Sequence, residues 1–278
     1  MDEAGSCLEL SPHKFTSGSG TSRQPAFASS HCIKAGDMPR PDKQTICVMN
    51  NAEWCDAVCR AHGVPGNFTP NIWIQPKAGP PYYSNAITLS RAGLAQQYAA
   101  IVQLGAALPE GFSVKDAFDS LDLTTSGFRI VFDAQWMWLD QSVVTSRATR
   151  DSQWSRVETE DELVRWKAAW AAAGSPTTAR VFLPTLLTDS SLAFFRAEDN
   201  GQIVAGCIAN RSRAQVVGFS NFFAIDSDRD RYRSEAVTLV SDFAKGNPVV
   251  GYDRGAELIG LQALGFHSVG SLRVWLRS

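Results

Sequence analysis

Apolar residues recur along this chain at two spacings, every second residue and every third or fourth, which predicts a mixed α/β protein. The clearest stretch is 249–276, where an apolar strand, a helix and a second strand follow one another. Because its first strand is apolar throughout and follows a helix, we expect that strand to be parallel and central. Residues 113–139 have the same order, with Asp116 in the place of Asp253 and a Gly-Phe pair before a Trp-bearing strand. This likeness predicts two similar modules in tandem, each with a mixed sheet.

The pattern before residue 113 completes the first module. A helix over 51–62, capped by Asn51, is predicted to open it. Two short strands at 71–75 and 85–89 are rich in Ile, Trp and Thr. A helix over 90–108 follows them, because apolar residues there fall at helical spacing.

The second module begins with a strand candidate at 153–157. Thr159 and Glu162 then form the sequence signature of a capping box, which marks the start of a helix. Trp166 and Trp170 share one face of that helix. We expect these tryptophans in the core rather than against a ligand, because amphipathic helices normally bury such a face.

Three further strands are predicted at 191–197, 202–211 and 214–225. The Asn200-Gly201 pair between the first two is a strong signal for a two-residue hairpin. We therefore expect these strands to form an antiparallel meander.

The length of 278 residues and the 44% of apolar residues are enough for two packed domains. Residues 1–46 are rich in Ser, Gly, Pro and Lys without strand or helix period, which predicts a disordered leader. A shortened N-terminal module is expected over 47–140 and a C-terminal domain over 153–278. The polar residues 141–152 form the predicted linker.

The formal net charge of −2 gives no long-range field that would attract a nucleic acid or an anionic membrane. We expect neither partner. No apolar run approaches the roughly 18 residues that span a bilayer, and the N-terminus lacks an apolar signal core. These features predict a cytoplasmic protein.

The six cysteines are sparse and include no CxxC pair, so we expect no disulfide framework. Cys55 and Cys59 lie four residues apart on a predicted helix and could chelate a metal. The favoured interpretation is two small buried side chains, because no His or third Cys lies at ligand spacing. We therefore expect no metal site.

From residue 153 onward, the order strand, two helices, three-strand meander, helix, strand, helix, strand resembles the GNAT acyltransferase superfamily. The segments that carry the resemblance are 199–206 (DNGQIVAG), 218–224 (GFSNFFA) and 264–266 (LGF). Residues 47–140 look like a shortened, diverged copy of the same fold. The resemblance implies a GNAT-like α/β fold in two tandem modules.

In that superfamily acetyl-CoA lies in a splay between the fourth and fifth strands, and N–H groups at the start of the next helix hold its pyrophosphate. The resemblance implies acetyl-CoA as the acyl donor. A charged loop is predicted at 226–233, before a helix. The family's phosphate-binding pattern maps onto residues 231–236 at the end of this loop, but Ser234 replaces a glycine and Glu235 adds a negative charge. An alternative is that Ser234 only caps the helix and the arginines form a solvated loop. The residues expected at the coenzyme are Phe222, Phe223, Ala224, Arg231, Arg233, Ser234, Glu235 and Ala236.

Acetyl transfer to an amine needs a group that removes the amine proton, an N–H that holds the thioester oxygen, and an acid for the thiolate. The family's usual tyrosine acid is replaced here by Leu261, and an asparagine often found earlier is replaced by Arg254. Tyr252 and Asp253 are the nearest substitutes, with Tyr252 as candidate acid. The alternative is a sheet-terminal tyrosine followed by an aspartate that caps the next helix.

Three functions remain open from the sequence. The first is a GNAT-type N-acetyltransferase that acts on a small amine or amino-acid-like acceptor. The second is a degenerate GNAT-fold protein that serves as a binding or scaffold module. The third is a transferase for a different acyl donor. The departures at Ser234, Arg254 and Leu261 favour the second function more than the resemblance alone would.

Overall fold

The computed structural model describes residues 41–108, 111–141 and 152–277. Most of the predicted leader and most of the predicted linker therefore lie outside the described residues.

Helix α1 begins earlier than the sequence predicted. It spans Lys43–Ala61, and the side chain of Asp42 caps its first turn. Asn51 therefore lies inside the helix instead of capping it. The predicted end of the leader at residue 46 is corrected as well, because α1 already begins at Lys43 and the side chain of Gln44 is buried in the fold.

Four further helices occur in the described residues. They are α2 (Leu94–Ala107), α3 (Glu160–Ala172), α4 (Arg229–Ala244) and α5 (Gly255–Ala263). The capping box of α3 is confirmed, because the Thr159 hydroxyl accepts from the Glu162 N–H while the Glu162 carboxylate accepts from the Thr159 N–H. Helix α2 follows Gly93 and starts later than predicted. Within the described ranges, no helix combines the length and apolar character that crossing a membrane requires.

The described strands form one eleven-stranded sheet. They are β1 (Asn67–Phe68), β2 (Ile72–Ile74), β3 (Ala86–Thr88), β4 (Ser113–Asp116), β5 (Phe128–Leu139), β6 (Gln153–Arg156), β7 (Leu192–Asp199), β8 (Gln202–Arg211), β9 (Val217–Ala224), β10 (Val249–Asp253) and β11 (His267–Arg277). Their spatial order is β1-β2-β3-β4-β11-β5-β10-β9-β8-β7-β6. The hairpin at Asn200 and Gly201 joins antiparallel β7 and β8 as predicted, and β10 is central and parallel to β9.

The sheet is continuous across both halves of the chain, so the prediction of two separate sheets is wrong. Strand β5 comes from the first half but lies between β10 and β11, antiparallel to both. Strand β11 comes from the second half but lies between β5 and β4. The Trp-bearing strand predicted after the first Gly-Phe pair is confirmed as β5, but the sequence of a strand does not indicate which strands lie on either side.

Helices cover both faces of the sheet. The core under α1 and α3 includes Trp166 and Trp170, which are buried as predicted. The core under α4 and α5 includes Val240. Successive residues of β10 point to opposite faces, since Val250 belongs to the first core and Val249 to the second.

Candidate active site

The parallel strands β9 and β10 are paired over only two residues each and then separate. The pairs are Val217 with Val249 and Gly218 with Val250. Gly251 is the next residue of β10, and a Cβ atom there would lie 2.7 Å from the carbonyl oxygen of Phe219. Glycine is therefore needed where the splay begins, because the two backbones leave no room for a side chain.

A β-bulge in β9 lies beside this splay. The pairs that flank it are Ser220 with Ile208 and Phe223 with Gly206. Asn221 and Phe222 consequently lie opposite a single residue of β8, and Asn221 has a left-handed φ of 52°. Because a bulge bends its strand, β9 turns at the point where it leaves β10.

A cavity of about 350 Å³ occupies the splay. Its lining comes from both faces of the sheet, because Tyr252 packs under α1 whereas the charge of Asp253 interacts with residues of α4 and α5. On the α1 side, aromatic residues from both halves of the chain form its wall. They include Trp54, Tyr82, Tyr83, Phe132, Trp136 and Trp170. The cavity therefore joins the two faces of the sheet.

Asp253 ends β10 with its carboxyl group towards α4 and α5. Burial raises the pKa of Asp253 to about 6, and the Glu257 carboxylate also raises it, whereas Arg233 and Arg229 act in the opposite direction. Its Oδ1 accepts from the Arg254 N–H at 3.0 Å. Arg254 occupies the cap position of α5 and no side chain caps that helix, so the alternative of a capping aspartate is wrong. A carboxylate with a pKa near neutral is suited to proton transfer.

Tyr252 lies on the opposite face and contacts the first half of the chain. Its ring centre is 5.3 Å from that of Trp136 and 4.5 Å from the Nζ of Lys115. Lys115 is 4% exposed, and its Nζ donates to Oδ1 of Asn51 at 2.5 Å. Burial acts to lower the pKa of Lys115, but Tyr252 and Cys55 outweigh burial and the pKa is raised. Lys115 is therefore charged at neutral pH.

Helix α4 begins at Arg229, inside the segment that the sequence predicted to be a loop. The N–H groups of residues 233–236 thus lie beyond the first turn, where each donates to the carbonyl four residues earlier. This corrects the expectation that they are free to hold a pyrophosphate. The alternative for Ser234 is wrong too, because the cap position belongs to Asp228. A 3-10 helix, Asp226–Asp228, leads directly into α4, so the N–H groups without helical partners at this end are those of residues 230 and 231.

The arginines at the start of α4 are already paired with carboxylates. Arg229 and Arg233 both bind Glu257, at 2.6 Å and 2.9 Å. The other ion pairs here are Arg233 with Asp230, Arg231 with Asp228 and Arg231 with Glu235. The side chain of Arg231 is 40% exposed, against 26% for Arg229 and 4% for Arg233. Of the three, Arg231 is therefore the most accessible to an anion.

The remaining residues expected at the coenzyme have different surroundings. Glu235 is 1% exposed, and its Oε2 accepts from Nε1 of Trp154 at 2.7 Å, so it points into the protein. Phe223, Ala224 and Ala236 are buried. Phe222 lies at the bulge and lines the cavity together with Tyr252 and Asp253.

The first half of the chain contributes residues to the site that were not predicted from the sequence. Lys115 lines the cavity, as do the hydroxyls of Tyr83 and Ser220, which are buried without a hydrogen-bond partner in the described part of the chain. The repeat offered one signal, since Lys115 directly precedes Asp116 in the first half just as Tyr252 directly precedes Asp253 in the second. The other residues had no signal in the sequence. They reach the splay only through the exchange of strands between the halves, in which β5 lies between β10 and β11, and β11 lies between β5 and β4.

Neither the cysteines nor the other residue types that could bind a metal form a second site within the described region. Cys55 and Cys59 are buried in α1 with free thiols, and burial raises the pKa of Cys59 to about 12. No cluster of three or more His, Cys, Asp or Glu residues suited to a metal ion occurs among the described residues.

No protein-family model matches the sequence, and no curated protein matches it either. Solved structures do match. A functionally unknown conserved protein from Staphylococcus epidermidis has a TM-score of 0.60 at 15% identity, over 77% of this chain and 95% of that one. A GCN5-related N-acetyltransferase from Kribbella flavida has a TM-score of 0.55 at 16% identity, over 81% of this chain and 95% of that one.

A third match is a GNAT-family protein from Novosphingobium aromaticivorans that is described as an acetyltransferase. Its TM-score is 0.52 at 11% identity, over 83% of this chain and 99% of that one. Each match covers more than three quarters of this chain, so the likeness is not confined to residues 153–278. These comparisons show that the chain has the GNAT fold.

Proposed function

We propose that this chain is an acyltransferase that moves the acetyl group of acetyl-CoA to a small amine in the splay between β9 and β10. The observation that carries the proposal is Asp253, which ends β10 at the splay with a pKa of about 6. The GNAT fold supports it, because a splay at this place in the strand order is where that fold is expected to accept an acyl thioester.

Acetyl-CoA, when bound, would supply the acetyl group as a thioester. The splay fits its acyl end, since Gly251 keeps the strands close and the bulge at Asn221 turns the backbone of β9. The first turn of α4 fits its pyrophosphate less well. Free N–H groups and Arg231 favour an anion there, whereas Asp228 and Asp230 repel one.

The residues at the splay would divide the proton transfers between them. The Asp253 carboxylate would take a proton from the acceptor's ammonium group, and the free amine would attack the thioester carbonyl carbon. Backbone N–H groups of β9 beyond the bulge would stabilise the charge on the carbonyl oxygen. As the C–S bond breaks, the Tyr252 hydroxyl would give its proton to the thiolate. The nitrogen of the new amide would lose its remaining extra proton to the Tyr252 phenolate, and Asp253 would release its proton to solvent, so both residues return to their starting states.

The test is thiol release from acetyl-CoA by the full chain with a panel of primary amines and amino acids. Asp253→Asn should lower amine-dependent release by at least about 100-fold, since a neutral amide cannot take the proton. Tyr252→Phe should lower turnover without weakening coenzyme A binding. Asp199→Asn, at an exposed aspartate that ends β7, is the matched control and should keep the wild-type rate. Full activity of Asp253→Asn, or no amine that stimulates release, would contradict the proposal.

A second candidate function is a non-catalytic binding or scaffold protein with the same fold. The ion pairs at the start of α4 favour it, because Arg229 and Arg233 are both paired with Glu257, whose negative charge weakens their attraction for a phosphate. The same observation would suit an acyl donor without a pyrophosphate. Failure of coenzyme A to bind would favour one of these two alternatives.

A further inference from the structure

Lys115 is a buried cation that reaches the cavity from the first half of the chain. Its Nζ donates a hydrogen bond to Oδ1 of Asn51 and lies over the ring of Tyr252. Neither neighbour is a carboxylate, and no carboxylate in the described ranges forms an ion pair with Lys115. Burying an ammonium without a counter-ion opposes folding. An anion from outside the chain would supply the missing charge.

Two cavities meet at this lysine. Lys115 and Tyr252 line the cavity in the splay and also a second cavity of about 380 Å³ on the side of β4. A ligand could therefore reach the ammonium directly. Tyr83 and Ser220 also line the first cavity, and their buried hydroxyls form no hydrogen bond within the described part of the chain.

The chemistry around Lys115 selects among anions. Phosphate groups are usually held by bidentate arginines or by several N–H groups together, whereas this site offers a single ammonium and two hydroxyls. Aromatic residues such as Trp54 and Trp136 form the wall on the α1 side, and the carboxyl groups of Asp253 and Glu257, on the other side, oppose a second negative charge. A single negative charge on a largely apolar molecule fits such a site best.

We propose that the cavity binds a molecule with one carboxylate, an amino acid or its N-acyl derivative, and that Lys115 pairs with that carboxylate. The apolar part of the molecule lies against the aromatic wall, and its nitrogen points to the splay. The role of this nitrogen as acetyl acceptor rests on the proposed function, but the carboxylate site does not. Lys115 is then a specificity-determining residue supplied by the half of the chain that does not contain Asp253.

The test is calorimetry in the absence of coenzyme A, with N-acetylglycine and N-acetyl-L-phenylalanine, each against its uncharged amide. At least one acid should bind about tenfold or more tightly than its amide, because a charge-assisted contact is lost in the amide. Lys115→Met should remove this preference. Lys77→Met, at an exposed lysine, should keep it. Equal affinity for acid and amide, no binding of either acid, or a preference that survives in Lys115→Met would overturn the proposal.

The thermal stability of Lys115→Met gives a second readout. Replacing an unpaired buried charge by an apolar side chain of similar length should leave the melting temperature unchanged or raise it. A clear fall would assign Lys115 a structural role and overturn the proposal. Because these measurements use no acyl donor, binding of the acids can succeed where acetyl transfer fails, and the two proposals are tested separately.

Discussion

The Nζ of Lys115 lies 4.5 Å from the centre of the Tyr252 ring, and the two residues hold corresponding positions in the two halves of the chain. Lys115 precedes the aspartate that ends β4, and Tyr252 precedes the aspartate that ends β10. Each of these strands is parallel to the strand before it, with a helix between. Gly127 and Gly265 both have positive φ just before the last strand of their half. We propose on this basis that the halves are diverged copies.

The two aspartates should differ in their effect on stability. Asp116 is fully buried, and its Oδ2 accepts from the N–H groups of Ser120 and Leu121, both at 2.7 Å. In Asp116→Asn one of the two oxygens becomes an NH₂ group that cannot accept. The free energy of unfolding, measured in urea, should fall by about 1–3 kcal/mol. An unchanged value would contradict a structural role for this carboxylate.

Asp253→Asn should instead stabilise the protein at neutral pH. Burial raises the pKa of Asp253 from 3.8 to about 6, so between these values the folded state binds more protons than the unfolded state. Stability contributed by this group is therefore present at low pH and is lost as pH rises through that window. Removing the ionisable group should raise the free energy of unfolding at pH 7 by up to about 3 kcal/mol, with no gain below pH ~4. Urea titrations at both pH values check this, and an equal gain at both would be inconsistent with it.

The same carboxyl group should set the pH dependence of the reaction. If Asp253 accepts the amine proton, kcat/KM should rise with pH and level off above an inflection near pH 6, the pKa of this group. The profile is measured with one amine across the range, at saturating acetyl-CoA. Asp253→Asn should lack this inflection. An inflection that persists in the variant would have to arise from another ionisable group, which would contradict the prediction.

Glu235 should prove structural, although its sequence position suggested repulsion of a phosphate. Its carboxylate binds the indole N–H of Trp154 inside the protein. Glu235→Ala should lower the free energy of unfolding by about 1–3 kcal/mol, because a buried donor loses its acceptor. Glu235→Gln keeps an acceptor and should lose less. The prediction fails if the alanine variant is as stable as the wild type.

Local signals in the sequence were sufficient for much of the fold. The Asn200-Gly201 hairpin and the capping box at Thr159 depend on neighbouring residues alone, and both appear as predicted. Strand β8 has the predicted bounds, because its run of apolar and small residues lies between polar residues at both ends. Tyr252 and Asp253 were placed at a strand end beside the splay, where they are found.

Features that depend on distant contacts were not predictable. The charged start of α4 resembled a loop, because nothing local indicates that Arg233 and Glu235 would be buried by Glu257 and Trp154. The exchange of β5 and β11 leaves no trace in the sequence of either strand, since the order of side chains along a strand shows which face each lies on and not which strands are its neighbours. Lys115 comes next to Tyr252 only through that exchange, which is why its place in the repeat did not by itself indicate a role at the site.

Calorimetric titration of the full chain with coenzyme A tests most directly whether the splay between β9 and β10 binds an acyl-CoA. We predict binding at or below millimolar concentration, and a loss of about tenfold or more in Arg231→Glu, because the most exposed cation near the free N–H groups becomes an anion. Arg213→Glu makes the same charge change at the other end of β9 and should bind as the wild type does. No binding by a folded wild-type protein at millimolar coenzyme A, or equal loss in both variants, would contradict the account.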